Sequence, residues 1–194
     1  MKKSNIYLSI TLFILIILIP KTMLASNFRN SEYDFREIKW GMNMKEVKKR
    51  ESLEVCDEYK NKLIYITNIA HRRSGLVYKF NNQKLTTALY IFLEKHHNKA
   101  SYINDYQKLK YLLIKRYGTP LNSNKIWLNN NCSSKIKYGA ALERGDLAFA
   151  SIWETDKTKI FLLLFGANND IELMIKYISK DYAYLIDKSY IEGL

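Results

Sequence analysis

The stretch Leu76-Val77-Tyr78-Lys79-Phe80-Asn81-Asn82-Gln83-Lys84-Leu85-Thr86-Thr87-Ala88-Leu89-Tyr90-Ile91-Phe92-Leu93 decides the fold. Leu76, Tyr78 and Phe80 alternate with Val77 and Lys79, which is the period of a strand with one wetter face. Asn81 to Lys84 is a polar break of hairpin length, and the β-type run Leu85 to Leu93 follows it, so the two runs pair antiparallel. A further run, Leu63 to Ile66, precedes them. The first half of the chain is therefore read as a three-stranded antiparallel sheet.

Upstream, Trp40-Gly41-Met42 leads into Asn43-Met44-Lys45-Glu46-Val47. Asn43 with Glu46 three residues on is a capping-box pattern, and it predicts a short amphipathic helix ending near Leu53, with Trp40 stapling its start to the sheet. Downstream, Tyr102, Tyr106, Leu109, Leu113 and Tyr117 form one stripe on a helix that begins near Ser101. Gly118 ends that helix and Pro120 prevents its continuation. Four more strand-like runs follow, at Lys125 to Leu128, Leu147 to Glu154, Lys159 to Phe165 and Ile171 to Ser179. Ile160 to Phe165 is apolar on both faces, as a central strand would be.

This order predicts an α+β fold of two helix-plus-antiparallel-sheet units, α-β3 and α-β4. They are read as a tandem repeat, and whether they share one continuous sheet stays open. The domain plan is a leader at 1–25, a polar lead at 26–34, one domain at 35–180 with halves 35–99 and 100–180, and a tail at 181–194 that is a short helix or a frayed end.

Outside the domain, Lys2 and Lys3 precede an apolar stretch from Ile6 to Pro20, and Met23-Leu24-Ala25 offers a small residue before Ser26. This is the charged, apolar, cleavable order of a secretory signal peptide. The apolar part is shorter than the ~20 residues a spanning helix needs, so a cleaved leader is read here, with an uncleaved anchor as the alternative. Cleavage near Ala25 predicts a periplasmic or secreted protein.

Composition narrows the rest. Among 194 residues, 47% are hydrophobic, with 2 Pro and 7 Gly. That excludes disordered, collagen-like and low-complexity chains. The 31 basic and 19 acidic residues give a net charge of +12. Such an excess favours acidic partners; with an export signal, nucleic acid is not the expected one. Basic positions Lys45, Lys48, Lys49 and Arg50 on the first helix, and Lys108, Lys110, Lys115 and Arg116 on the second, make a candidate surface for anionic lipid or polyanion.

Two thiols, Cys56 and Cys132, suit a disulfide in an oxidising compartment, and a bridge would contribute about 4 kcal/mol through the long loop it closes. Two separate thiols are the alternative. Catalytic signals are sparse. Of the three histidines, His71, His96 and His97, none falls in a zinc motif, and His96-His97 would need a convergent third ligand to hold a metal. A Cys132–His97 nucleophilic pair lacks any motif. Glu143, Asp146, Glu154 and Asp156 cluster in sequence as a glycosidase pair would, though Glu154 and Asp156 read more simply as a strand turn. No phosphate loop, EF-hand or Gly-x-Ser-x-Gly pattern is present. The expectation is no cofactor, no metal and no enzyme, with an envelope hydrolase as the residual catalytic option. The 15 Tyr and 3 Trp instead supply amphipathic area for packing or contact.

Phe35-Arg36-Glu37-Ile38-Lys39-Trp40-Gly41-Met42, followed by Glu46-Val47, resembles the opening of a set of uncharacterised exported bacterial proteins. The stretches Tyr102 to Tyr106, Tyr117 to Pro120 with Trp127, Ala141 to Leu147, and Trp153 to Thr155 with Thr158 resemble them too, so the likeness spans roughly Phe35 to Lys180. Asn43 departs from the Ser of that opening but still caps a helix. In architecture the chain is similar to the small lipoprotein subunit of the outer-membrane β-barrel assembly machine and to the tandem-repeat β-lactamase inhibitor protein. Both bind proteins, which implies a non-catalytic binding module whose partner is an envelope or secreted protein. The lipidated Cys of the lipoprotein family is missing here.

Overall fold

A computed structural model describes residues 33–128, 137–167 and 170–186. The leader at 1–25, Cys132 and the end of the tail lie outside the described residues. Eleven elements are described. Helix α1 (Met44–Arg50) is followed by strands β1 (Val55–Tyr59), β2 (Lys62–Ile69), β3 (Arg72–Asn81) and β4 (Lys84–Phe92). Helix α2 (Ala100–Tyr117), strand β5 (Asn122–Trp127) and helix α3 (Tyr138–Glu143) come next. Strands β6 (Leu147–Glu154), β7 (Thr158–Ala167) and β8 (Asp170–Ser179) complete the order.

All eight strands lie in one antiparallel sheet, ordered β1-β2-β3-β4-β8-β7-β6-β5. Each group of four is a meander, and the groups meet where their last strands, β4 and β8, pair antiparallel. The continuous sheet left open by the sequence is thus present, and the fold is α+β. The turn chemistry explains much of the registration. Asn82 and Gln83 both have positive φ, as do Ala70 and His71 between β2 and β3, the geometry of two-residue hairpin loops whose twist matches the strands.

Two corrections follow for the first half and two for the second. A strand at Val55–Tyr59 makes the first group four strands, not three. It is an edge strand with four of five residues exposed, so it carries no alternation to read. The first helix stops at Arg50 rather than near Leu53 and buries only Val47, so it is too small to be a layer equivalent to α2. In the second half, α3 enters between β5 and β6. The last predicted run before it shifts to Asn122–Trp127. The picture of two equal helix-plus-sheet units therefore gives way to one dominant sheet with unequal helices.

Other local expectations match. Asn43 Oδ1 accepts from the Glu46 amide at 3.0 Å and Glu46 Oε2 accepts from the Asn43 amide at 2.7 Å, a complete capping box. Along α2, Tyr102, Tyr106, Leu109 and Leu113 are buried, and the chain leaves the helix through Gly118 at φ +80°. The tail forms a helical turn at 183–186, and the Leu185 carbonyl accepts from Asn81.

The core fills one face of the sheet. Leu63, Tyr78, Ala88, Tyr177, Ile160 and Trp153 lie in one cross-strand row of this face. They join the buried residues of all three helices, including Val47, Tyr106 and Leu142, in a single cluster. Trp40 donates from its indole nitrogen to Thr158 Oγ1 at 2.8 Å, and Trp153 to the Gly118 carbonyl at 2.8 Å. These bonds tie the segment before α1 and the end of α2 to β7 and β6. Among the described residues, no helix is long and apolar enough to cross a membrane.

Candidate functional site

The other face of the sheet is the least expected feature of the molecule. Strand alternation turns every second residue away from the helices. Register then aligns Ile64, Val77, Leu89, Lys176, Phe161 and Ile152 in one row and Ile66, Gly75, Ile91, Met174, Leu163 and Ala150 in the next. Both rows are almost wholly apolar. None of these residues belongs to the core cluster that contains the helices' buried side chains. Phe161, Leu163, Met174, Ile91 and Ile152 are half-buried and Ile66 is exposed, while Val77, Leu89 and Ala150 are buried between their neighbours. A Cβ placed on Gly75 would meet nothing within 4 Å. This face carries apolar side chains without a described layer over it.

Set among them are lysines. Lys62 and Lys79 are cross-strand partners on β2 and β3, and Lys176 sits on β8, with β4 between it and Lys79. Burial pushes the Lys79 amine down, helped by Lys62, and burial pushes the Lys176 amine down, helped by Lys79. No acidic side chain among the described residues pairs with either.

On the core side, a second polar group lies at the mouth of a cleft. The tight turn at Phe35–Ile38 puts Arg36 at φ +54°, and its guanidinium donates to Glu51 Oε1 at 2.8 Å. Tyr78 donates its hydroxyl to Glu51 Oε2 at 2.6 Å, while the Tyr90 hydroxyl stands 3.5 Å from Arg36. The cleft alongside, about 250 Å³, is lined by Arg36, Glu37, Ile38, Arg50, Glu51 and Ser52. Burial is the main force raising the Tyr78 and Tyr90 phenols, and for Tyr78 the Glu51 carboxylate adds to it. Burial works against the Arg36 charge, but Tyr90 and Glu51 outweigh it and hold the cation firmly. Tyr65, pushed up to about 12 by burial and then by Glu51 and Glu58, has a buried hydroxyl without a partner. Arg36, Glu51 and Tyr78 are committed to one another, so the cluster latches the Phe35–Ile38 turn and the end of α1 to the sheet.

A third group joins β3, the β4–α2 connection and α2. Asp105 on α2 is buried; Arg72 donates to its Oδ1 and to Glu94 Oε2, and His96 Nε2 lies 2.6 Å from its Oδ2. The solvated loop expected at His96-His97 holds for the exposed His97 but not for half-buried His96. Glu94, His96 and Asp105 place donor atoms within 4.8 Å of one another, a set that could hold a metal. The Arg72 guanidinium already supplies positive charge to both carboxylates, so the geometry is complete as an ion-pair cluster.

The remaining sequence candidates disperse. Glu143 pairs with Lys99, Asp146 with Arg144, and Glu154 with Lys180, while Asp156 is exposed. No two of these acids face each other across a cleft. His71 is exposed in the β2–β3 turn. Cys56 is an exposed free thiol on edge strand β1, and Cys132 lies outside the described residues. Lys45, Lys49, Lys108, Lys115 and Arg116 are exposed and Lys110 half-buried on their helices. Lys48 is tied to Glu58 at 2.8 Å, and Arg50 stacks over Tyr33.

Sequence reasoning passed over the lysine-bearing face. Its signal was present in Val77 and Lys79, Leu89 and Ile91, and Met174, Lys176 and Ile178, the residues between the core positions. Comparison with family models, curated proteins and solved structures finds no match for this chain.

Proposed function

We propose that this protein is a non-catalytic exported module that binds another protein through the sheet face turned away from its helices. The observation that carries this reading is the pair of apolar rows from β2 to β6, which no described element covers. Large contiguous apolar patches on soluble domains mark interaction sites. The order of the N-terminal residues supports export. The same reading takes the two four-strand meanders as a degenerate tandem repeat whose fusion at β4 and β8 doubles the width of the docking surface.

The test compares full-length Leu163→Glu, which charges the face, with Lys108→Glu/Lys115→Glu, which alters α2 on the other side. Each is used to capture proteins from envelope extract, with quantitative mass spectrometry. The expected result is a partner retained by wild type and the helix variant and lost by Leu163→Glu. A set of captured proteins indifferent to Leu163→Glu sinks the reading. If the helix variant alone loses its partners, binding of polyanion or anionic lipid by the basic helices replaces it.

A further inference from the structure

Burying a cation without a counter-charge is costly, and proteins ordinarily compensate within the fold. Here Arg36, Arg72 and Lys180 each reach a carboxylate. Lys79 and Lys176 stand half-buried in the middle strands, among apolar neighbours, with no such partner among the described residues. Thr87, directly across from Lys79, and Leu89, directly across from Lys176, lie on the intervening strand β4. The two amines therefore flank a strip about 10 Å wide, two strand spacings, floored by a hydroxyl and an aliphatic side chain.

We propose that the occupant of this face is an acidic amphipathic segment of a partner protein, which lays apolar side chains over the half-buried Ile91, Met174, Phe161 and Leu163 and sets a carboxylate between Lys79 and Lys176. The inference rests on the docking reading above and names what docks. Three features select this occupant. The apolar rows give the affinity surface and the paired lysines give the sign of charge it accepts. The two apolar rows cross six strands, about 24 Å, and cover about 14 Å along them, a patch of a few hundred Å² that suits one docked segment rather than a whole domain. A second copy of this chain would bring its own Lys62, Lys79 and Lys176 against the same lysines, in a molecule already at +12, so like charges oppose self-pairing. A carboxylate arriving beside these lysines offsets the desolvation of their charge, so the free-state cost is returned on binding.

The experiment uses the full chain and three synthetic 14-residue peptides of one apolar pattern, with glutamate, glutamine or lysine at the polar positions, measured by calorimetry. Against wild type, the glutamate peptide is expected to bind at least ~10-fold more tightly than the glutamine peptide. Lys79→Gln/Lys176→Gln should remove that preference, whereas Lys45→Gln/Lys49→Gln, with the same change in net charge, should leave it within about twofold. Equal binding of glutamate and glutamine peptides, abolished by Leu163→Glu but untouched by the face-lysine variant, overturns the charge inference and leaves the docking reading standing. Peptide binding unaffected by Leu163→Glu overturns both. Phosphatidylglycerol vesicles that bind through Lys79 and Lys176 while the glutamate peptide does not assign the face to lipid, and a dimer by sedimentation that Leu163→Glu dissociates assigns it to a second copy. Either outcome overturns the proposal.

Discussion

The two faces of the sheet are made from the same strands, yet they follow different rules. On the helix side, large side chains interlock and, the Tyr65 hydroxyl apart, buried polar atoms find partners: Tyr106 meets Ser151 at 2.7 Å, Trp40 meets Thr158, and Glu51 serves both Arg36 and Tyr78. On the other side, the aliphatic rows are as continuous, but Lys79 and Lys176 among them have no carboxylate partner among the described residues. A face that stabilises the fold is expected to be closed in both packing and polarity. A face that is apolar but electrostatically incomplete has been left for something else to finish.

The comparison breaks most directly with truncations on neighbouring residues of β6 and β7. Trp153 is 1% exposed and Ile160 is 1% exposed, whereas Ile152 and Phe161, their sequence neighbours, point the other way. Trp153→Ala should cost about 3–5 kcal/mol and Ile160→Ala about 2–5 kcal/mol in urea unfolding. Phe161→Ala and Ile152→Ala should each cost no more than ~1 kcal/mol, because the half-exposed side chains leave no enclosed cavity. Equal costs on both faces would show that the second face is covered in the free protein.

Next in size is the latch. The Glu51 side chain is 2% exposed and is shared by Arg36 and Tyr78. Glu51→Ala strands a cation and a buried phenol at once, and should cost about 3 kcal/mol. Arg36→Met in that background should recover part of the loss by removing the uncompensated charge. The Lys176→Met change considered below should show no coupling to Glu51→Ala, since the two sites lie on opposite faces.

The matched face also dictates behaviour in alkali. Tyr78, Tyr90, Tyr106 and Tyr177 all have phenols raised chiefly by burial, and Tyr65 is pushed up to about 12. A raised folded-state value means that the native state holds protons which the unfolded chain releases near pH 10. Stability from these groups is therefore complete below about pH 10 and is lost as pH rises through the folded values. Urea midpoints should fall by the equivalent of at least about 2 kcal/mol between pH 9 and 12, the share of Tyr65 alone, and absorbance titration should show these phenols ionising together with unfolding.

How much of this was legible in the sequence depends on how local the cause is. The capping box at Asn43, the stripe from Tyr102 to Leu113 and the break at Asn82-Gln83 are each set within a few residues, and each was readable. Strand β1 was not, because an edge strand with exposed side chains has no buried face to impose a period. Helix α3 hid for a related reason: six residues with Gly139 and Ala141 facing the core give too short and too small a stripe. The pairing of His96 with Asp105, nine residues away, depends on how the chain turns before α2. The apolar run Ile160 to Phe165 was read correctly as an interior strand. Its second apolar face took on meaning only once strand order placed Phe161 and Leu163 beside Lys176 and Met174.

The smallest effect is the sharpest test of the unmatched face. Lys176→Met keeps the length of the side chain and removes a desolvated amine, so it should stabilise the free protein by about 0.5–1 kcal/mol at pH 7. The sign has a pH signature. Because burial lowers the folded-state value of Lys176 below that of the unfolded chain, the native state binds fewer protons, and stability from this residue rises with pH toward about 10.4. The advantage of Lys176→Met over wild type should therefore shrink as pH rises from 7 to 10, in the range before the phenols begin to ionise. A substitution that strengthens the fold while weakening the glutamate peptide would mark Lys176 as a residue kept for contact rather than for stability. An advantage independent of pH would mean that the amine is fully solvated in the free protein, and the distinction between the faces would then reduce to packing alone.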